Sequence, residues 1–421
     1  MDEEDGKALL AIYRYRCLSE SQILNFVYHN DGDERLKNLL ANGLVESVKY
    51  QPANNVYFLT TLGVGCTEAI YSDVLQSLYG TERKTILKAG ELKIKEQNIN
   101  HQIHLNEFVL QFVTSFHGVI DYKYYDEKFM PKASDFMMPD GMLDLPNYFV
   151  LLEMDMGTET LQRLRQKWDS YRLFLNSPGS FYQGKPIVMF FILDGVKNIE
   201  LRRRNIMSCI LEYLSDRIDG QFEVYIDSAE NLQEVIKSKL INTNNIKKIN
   251  TINEAEFCVL LKINYGFSIA VHPPALSKIN APFSFYMRKL NGDMHVIVED
   301  GKAQEYLMDI WLDGRLSVCR NLMYFRRISE DVRKSTGRYL PYVVVVPSEL
   351  WIAKVLQAMK LCEPKNIYFT TLERLEKINN IKSKKNYGWP DALFQIDRLG
   401  NLVHFKDGAL RETVHERKIL K

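Results

Sequence analysis

Residues 138–171 read MPDGMLDLPNYFVLLEMDMGTETLQRLRQKWDSY, and the fold is decided here. A Pro-Asp pair, Pro139-Asp140, leads into an apolar run broken by the turn residues Pro146-Asn147. Residues 148–152 predict a strongly apolar strand that delivers Glu153 and Asp155. Successive strand side chains alternate faces, so the two acids project from the same one. A hairpin turning at Pro146-Asn147 brings Asp140 back toward that face. Beyond Gly157, the residues Leu161, Leu164, Trp168, Tyr171 and Leu175 fall at the spacing of one helical stripe. Lys167 lies at the edge of that stripe, one turn after Arg163.

Three carboxylates at one strand end, with a cation on the next helix, raise one another's pKa and repel unless a cation joins them. Magnesium suits such a place, being hard, oxygen-seeking and usually held by one or two carboxylates plus phosphate; manganese is the substitute expected there. Asp140, Glu153 and Asp155 are therefore the expected metal ligands, and Lys167 the group that stabilises phosphate charge or helps activate water. A plainer reading stands beside this one: Asp155 caps a turn, and Glu153 pairs with Arg163 or Lys167.

Upstream, residues 7–62 predict a helical unit ending in a hairpin. A first helix covers 7–15, Ser19 caps a second, and a third runs over 34–41 to the stop at Asn42-Gly43. Strands over 44–50 and 56–60, separated by QPANN, complete the pattern of a winged helix. Its expected DNA readers are Arg35, Lys37, Asn38 and the wing residue Lys49. Between Arg14 and Lys49 five acidic residues face five basic ones, and winged helices also dock proteins, so both uses stay open.

The Pro-Asp pair, Glu153 and Lys167 resemble the site of PD-(D/E)XK restriction-endonuclease-like nucleases. Asp155 stands where that motif usually has its lysine, and several branches carry the lysine on the following helix instead, where Lys167 is. More narrowly, PDG…FVLLEMDMGTE…LRQKWDSY resembles the replication-relaxation family of plasmids and integrative elements, over roughly residues 5 to 235. The resemblance implies a DNA-binding protein acting on double-stranded DNA in replication, relaxation or mobilisation, with a magnesium-dependent nicking site. It equally allows a non-catalytic regulator built on an inactive nuclease-like scaffold. The partners expected are a second copy of the chain or other replication and transfer proteins of the mobile element.

Length and composition fit these expectations. The 421 residues allow two to four domains, and 46% hydrophobic with 25% charged residues describes a globular protein. Net charge is +1, so a nucleic-acid surface must be a local patch. No apolar stretch is long enough to span a bilayer, the acidic start MDEEDGK lacks signal-peptide character, and six scattered cysteines read as reduced. Together these point to a cytoplasmic protein.

The expected fold class is α/β: a winged helix at 1–65, a helical connector at 66–98, a nuclease-like domain at 99–237, a linker at 238–252, and a C-terminal α/β domain at 253–421. In the nuclease-like part, His101, His104 and Glu107 share one helix flank. The histidines lack a zinc ligand set and read as packing or capping groups, while Glu107 is a candidate extra acid. Arg202-Arg203-Arg204 reads as a DNA-backbone contact or a solvated helix start. The C-terminal part echoes the first: GDMHVIVEDG resembles NYFVLLEMDMG, with Glu299 in place of Glu153. A second Pro-Asp pair, Pro390-Asp391, precedes an expected hairpin turning at Leu399-Gly400.

Overall fold

The computed structural model describes residues 2–28, 32–50, 54–78, 86–130, 138–176, 182, 184–218, 221–240, 252–270, 285–291, 293–296, 298–299, 302–311, 315–358, 366–376, 389–396, 402–406 and 409–412. The chain is a mixed α/β protein of two compact units, Met1–Ile199 with Asp227–Glu234, and Glu200–Ile226 with Val235–Lys421.

The first unit opens with α1 (Glu3–Tyr15), which starts before the expected position because Asp2 and Asp5 form a reciprocal capping box. Ser19 ends the two-residue strand β1 (Leu18–Ser19) and caps α2 (Glu20–Phe26), with Gln22 closing a second box. Then come α3 (Gly32–Ala41), β2 (Val45–Tyr50) and β3 (Asn54–Leu59). The three strands pair antiparallel in the order β1-β3-β2, which is the topology of a winged helix. β1 is too short to show a period in sequence. Part of the expected QPANN turn, residues 51–53, lies outside the described residues.

In the connector, α4 (Thr61–Leu78) has one non-helical residue, Tyr71, and α5 (Ala89–Leu92) is a single turn. Residues 81–85 of its charged stretch lie outside the described residues. α6 (Ile99–Phe116) leads to β4 (Lys123–Asp126), β5 (Gly141–Asp144), β6 (Phe149–Asp155), α7 (Leu161–Asn176) and β7 (Ile187–Leu193). β4, β5 and β6 run antiparallel, and the β5–β6 hairpin turns over Pro146-Asn147. β6 and β7 pair parallel, with Glu153 opposite Phe191. Every residue of both strands is buried, as continuous apolar runs in a covered parallel pair require. Phe191 packs on Trp168 of α7, and its neighbour Phe190 meets Phe108 of α6 edge-on. The two helices thus cover opposite sheet faces. The buried stripe of α7 is Leu164, Trp168, Tyr171 and Phe174, while Leu161 is 45% exposed. Phe174, three residues after Tyr171, takes the place expected for Leu175 because it lies nearer the centre of the stripe.

A buried polar seam joins the winged helix to this sheet. Asn106 of α6 donates to the carbonyls of Tyr15 (3.1 Å) and Cys17 (2.6 Å), and Gln22 donates to the carbonyl of Ile103 (2.8 Å). Arg16, at φ 67°, pairs with the fully buried Asp126 at 3.3 Å and with Glu127 at 2.6 Å, and Gln102 donates to Asp126.

α8 (Ile199–Leu214) belongs to the second unit from Glu200 on. β8 (Phe222–Ser228) is divided between the units, and α9 (Ala229–Val235) lies in the first up to Glu234. Most of the expected linker, residues 241–251, lies outside the described residues. The second unit continues with α10 (Ile252–Tyr265), β9 (Phe267–Ala270), β10 (Phe285–Lys289), the small hairpin β11 (Val298–Glu299) and β12 (Lys302–Ala303), and β13 (Glu305–Ile310). There follow α11 (Leu316–Thr336), β14 (Tyr342–Val345), α12 (Glu349–Ala358), β15 (Ile367–Thr370), β16 (Phe394–Ile396), β17 (Leu402–Lys406) and β18 (Ala409–Glu412). Its eight-stranded sheet has the order β18-β17-β16-β15-β14-β13-β10-β9.

The helix, antiparallel pair, central strand, helix and parallel strand of α6-β4-β5-β6-α7-β7 recur as α10-β9-β10-β13-α11-β14. The equivalent of β6 is β13, which carries Asp309. Glu299 lies on the separate two-stranded hairpin, so it does not correspond to Glu153. β16 and β17 form the expected antiparallel hairpin, whose turn at Leu399-Gly400 lies outside the described residues.

Candidate active site

The C-terminal end of β6 gathers a connected set of ionisable side chains. Glu153 is 1% exposed because its strand is covered on that face by α7. One carboxylate oxygen accepts from Lys167 Nζ at 2.5 Å and the other from the hydroxyl of the fully buried Tyr171. Lys167 and Tyr171 are four residues apart on α7, one helical turn, so both reach the same acid. Lys167 also lies 3.7 Å from Glu159. Among the described residues Arg163, 77% exposed, pairs with Glu159 at 3.8 Å, so of the two cations that might have neutralised Glu153, Lys167 does so.

Asp140 sits just before β5, where the β5–β6 hairpin carries it beside Met154. Its Oδ2 accepts from Met154 N at 2.8 Å and lies 3.2 Å from His101 Nε2 of α6. That nitrogen is also 3.0 Å from the Met154 carbonyl. Asp140 and Glu153 feel each other's charge. Burial pushes the Glu153 carboxyl above its usual range, Lys167 opposes this, and Asp140 adds to it. Burial pushes Asp140 the same way, but the His101 bond and the Lys167 charge outweigh it and hold its carboxyl below its usual range. For Lys167, burial works against the charged form, yet Glu153 and Asp140 overcome it and raise its pKa.

Asp155 is equally buried but turns its Oδ1 to the N–H of Gly157 at 3.1 Å. Gly157 has φ 73°, a left-handed conformation that favours glycine and lets the chain leave β6 toward α7. Among the described residues, no group of three or more His, Cys, Asp or Glu side chains is set to hold a metal ion. Of the three expected ligands, Glu153 accepts from Lys167 and Tyr171, Asp140 accepts from the Met154 N–H, and Asp155 accepts from the Gly157 N–H. Two carboxylates fit magnesium in the mode where phosphate and water fill the rest of its shell.

His104 pairs separately with Asp194 at 2.6 Å. Glu107 accepts from Gln22 and Gln111 and so serves the seam with the winged helix. His101 was visible in the sequence only as one of two histidines a turn apart. Its partner lies 39 positions away, and nothing local announces the pair.

The expected DNA readers separate into two groups. Lys37, Asn38 and Lys49 are exposed on α3 and β2. Arg35 instead turns back to α1, at 2.5 Å from Asp2, 3.1 Å from Asp5 and 3.4 Å from Glu4. Three acids at the first turn of α1 hold it, so it fastens α3 to α1. In the second unit Arg203 is 9% exposed and pairs with Glu200 at 2.8 Å, which separates it from the solvated arginine cluster expected there. At the place equivalent to Glu153, Asp309 is fully buried and accepts from Tyr342 at 2.5 Å and from Asn321 of α11 at 3.2 Å. An asparagine therefore bonds the strand acid where α7 supplies a lysine.

A winged helix joined to a mixed sheet whose central strand ends in an acid–lysine cluster defines the class of this protein. Residues 9–183 match the model of the replication-relaxation family, less than half of the 421-residue chain but all of the winged helix from mid-α1 and the whole cluster. Over that segment the chain is similar to the family described as replication-relaxation. No curated protein and no solved structure matches it. Among the described residues, no helix is long and apolar enough to cross a membrane.

Proposed function

We propose that the chain binds double-stranded DNA of a plasmid or related mobile element through its winged helix and nicks it at the Asp140–Glu153–Lys167 cluster. The observation that carries this reading is the buried Glu153–Lys167 ion pair at the end of β6, with Asp140 held on the backbone N–H of the next residue, Met154, on a sheet joined to a winged helix by buried hydrogen bonds. Asp140 and Glu153 are the residues that would hold magnesium or manganese, and the ion would supply positive charge for a phosphate. The chain's own contribution is distinct. Lys167 balances the two acids and offers an ammonium to phosphate oxygens, and Tyr171 fixes the Glu153 carboxylate. Met154 N–H and His101 fix Asp140. Lys37, Asn38 and Lys49 present an exposed polar and basic edge to the duplex.

A second reading rests on Glu153 itself: both its oxygens are taken by Lys167 and Tyr171, as in a closed structural network. On that reading the protein is a DNA-binding accessory factor without nuclease activity. The discriminating assay incubates the full chain with supercoiled plasmid from its element, with magnesium or manganese against EDTA. Open circles that need the metal and vanish in Glu153→Gln support nicking. Intact supercoils alongside a clear mobility shift support the accessory factor.

A further inference from the structure

On α6, His101 reads in the sequence as a packing or capping group, yet it meets the acid cluster. Its Nε2 is 3.0 Å from the Met154 carbonyl and 3.2 Å from Asp140 Oδ2. A carbonyl oxygen only accepts hydrogen bonds, so this nitrogen carries a hydrogen. The same Asp140 oxygen also accepts from Met154 N at 2.8 Å. Asp140 Oδ2 thus accepts from the backbone of β6 and lies at ion-pair distance from the ring N–H that His101 directs to the Met154 carbonyl, while Oδ1 takes no hydrogen bond from the described residues. Asp140 is 22% exposed and His101 33%, so the pair lies at the mouth of the cluster rather than in the core.

We infer that His101 is a positioning residue, which clamps Asp140 Oδ2 against Met154 so that Oδ1 is presented to a divalent cation. This rests on the reading of Asp140 and Glu153 as the acids of a phosphodiesterase centre. Hydrogen-bond partners of a ligating carboxylate restrict its orientation, and losing one typically costs 10–100-fold in metal affinity or activity. The N–H of an anchored ring also leaves Asp140 fewer orientations than the backbone donor alone would.

The test uses the full-length protein and manganese as the probe, read by the electron paramagnetic resonance signal of free Mn2+ in titrations without DNA. Plasmid nicking is measured in parallel. His101→Ala is expected to weaken manganese binding roughly 10–100-fold. His101→Gln, whose amide restores a donor at similar reach, is expected to recover most of it. His104→Ala is the control, since it removes the same kind of side chain from the same helix at a pair (with Asp194) outside the cluster. Circular dichroism confirms that each variant folds. The inference is overturned if His101→Ala binds manganese like the unmodified protein, if His101→Gln binds as weakly as His101→Ala, or if His104→Ala loses as much. If the unmodified protein neither binds manganese nor nicks DNA, the phosphodiesterase reading fails and takes this one with it. Failure of the clamp alone looks different: tight manganese binding and nicking that survive in His101→Ala.

Discussion

Replacing Lys167 by methionine keeps most of the apolar stem of α7 and removes the ammonium from Glu153. Taking one partner from a buried ion pair costs about 3–5 kcal/mol, because the other charge is left without its counter-ion. Here Glu153 is 1% exposed and keeps only the Tyr171 hydroxyl as donor. It has one escape, which is to bind a proton. Burial already raises its folded pKa above the ordinary value of 4.5, and losing Lys167 raises it further. A raised carboxyl penalises the fold above its folded pKa, and the penalty is gone once pH falls to the unfolded value. The loss in Lys167→Met is therefore expected in full near pH 8 and nearly absent near pH 4.5. Amide hydrogen exchange on peptides from β6 and α7 measures it locally, which avoids treating two units as one unfolding transition. At pH 8 exchange should speed up roughly 10²–10³-fold, since each 1.4 kcal/mol is tenfold. At the acidic end, after correction for intrinsic rates, the variant and the parent should exchange alike. An equal loss at both pH values, or none at pH 8, would refute the assignment of Lys167 as the counter-ion of Glu153.

Other outcomes can be checked with less effort. Alanine at Lys37 and at Lys49 should each weaken DNA binding and flatten its salt dependence by roughly one charge, whereas Arg35→Ala should lower the melting temperature through α1 and leave the salt slope unchanged. Asp126, fully buried, has its pKa pushed up to about 6, by burial first and against the opposing charge of Arg16. Its charged form disfavours the fold, so the seam between winged helix and sheet should gain about 3 kcal/mol as pH falls from above 6 to below 4; exchange at the start of α6 should show that gain and lose it in Asp126→Asn. In Asn106→Leu, the carbonyls of Tyr15 and Cys17 lose their donor, which should cost about 1–3 kcal/mol and speed exchange in α1 and α2.

Elements whose signal is local were readable from the chain alone. The unbroken apolar runs of β6 and β7, the Ser19 cap and the Pro146-Asn147 turn each announce themselves within a few residues. The central acid and its lysine were readable too, because a strand end and the next helix lie fourteen positions apart. What escaped was set by distant contacts. Asp155 and Glu153 look alike in a strand that alternates faces, and only the φ of Gly157 diverts one of them to a turn. Arg35 sits among plausible DNA readers, yet its partners are the acids that open α1, some thirty positions upstream. Glu299 ends an apolar run resembling β6, but among the described residues of that run the strand is Val298–Glu299, and the central position falls to β13. Similar hydropathy does not distinguish a central strand from a side hairpin.

The helix α6 has a consequence for how DNA would be measured. Asn106 and the Ile103 carbonyl on it hold the winged helix, and His101 on it touches Asp140. The exposed residues Lys37, Asn38 and Lys49 and the acid cluster therefore lie within one compact unit, joined through α6. If both bind DNA as proposed, the protein works as a caliper. On any duplex that engages both ends, the span between the bases read and the phosphate reached should stay constant in base pairs, whatever sequence fills the gap.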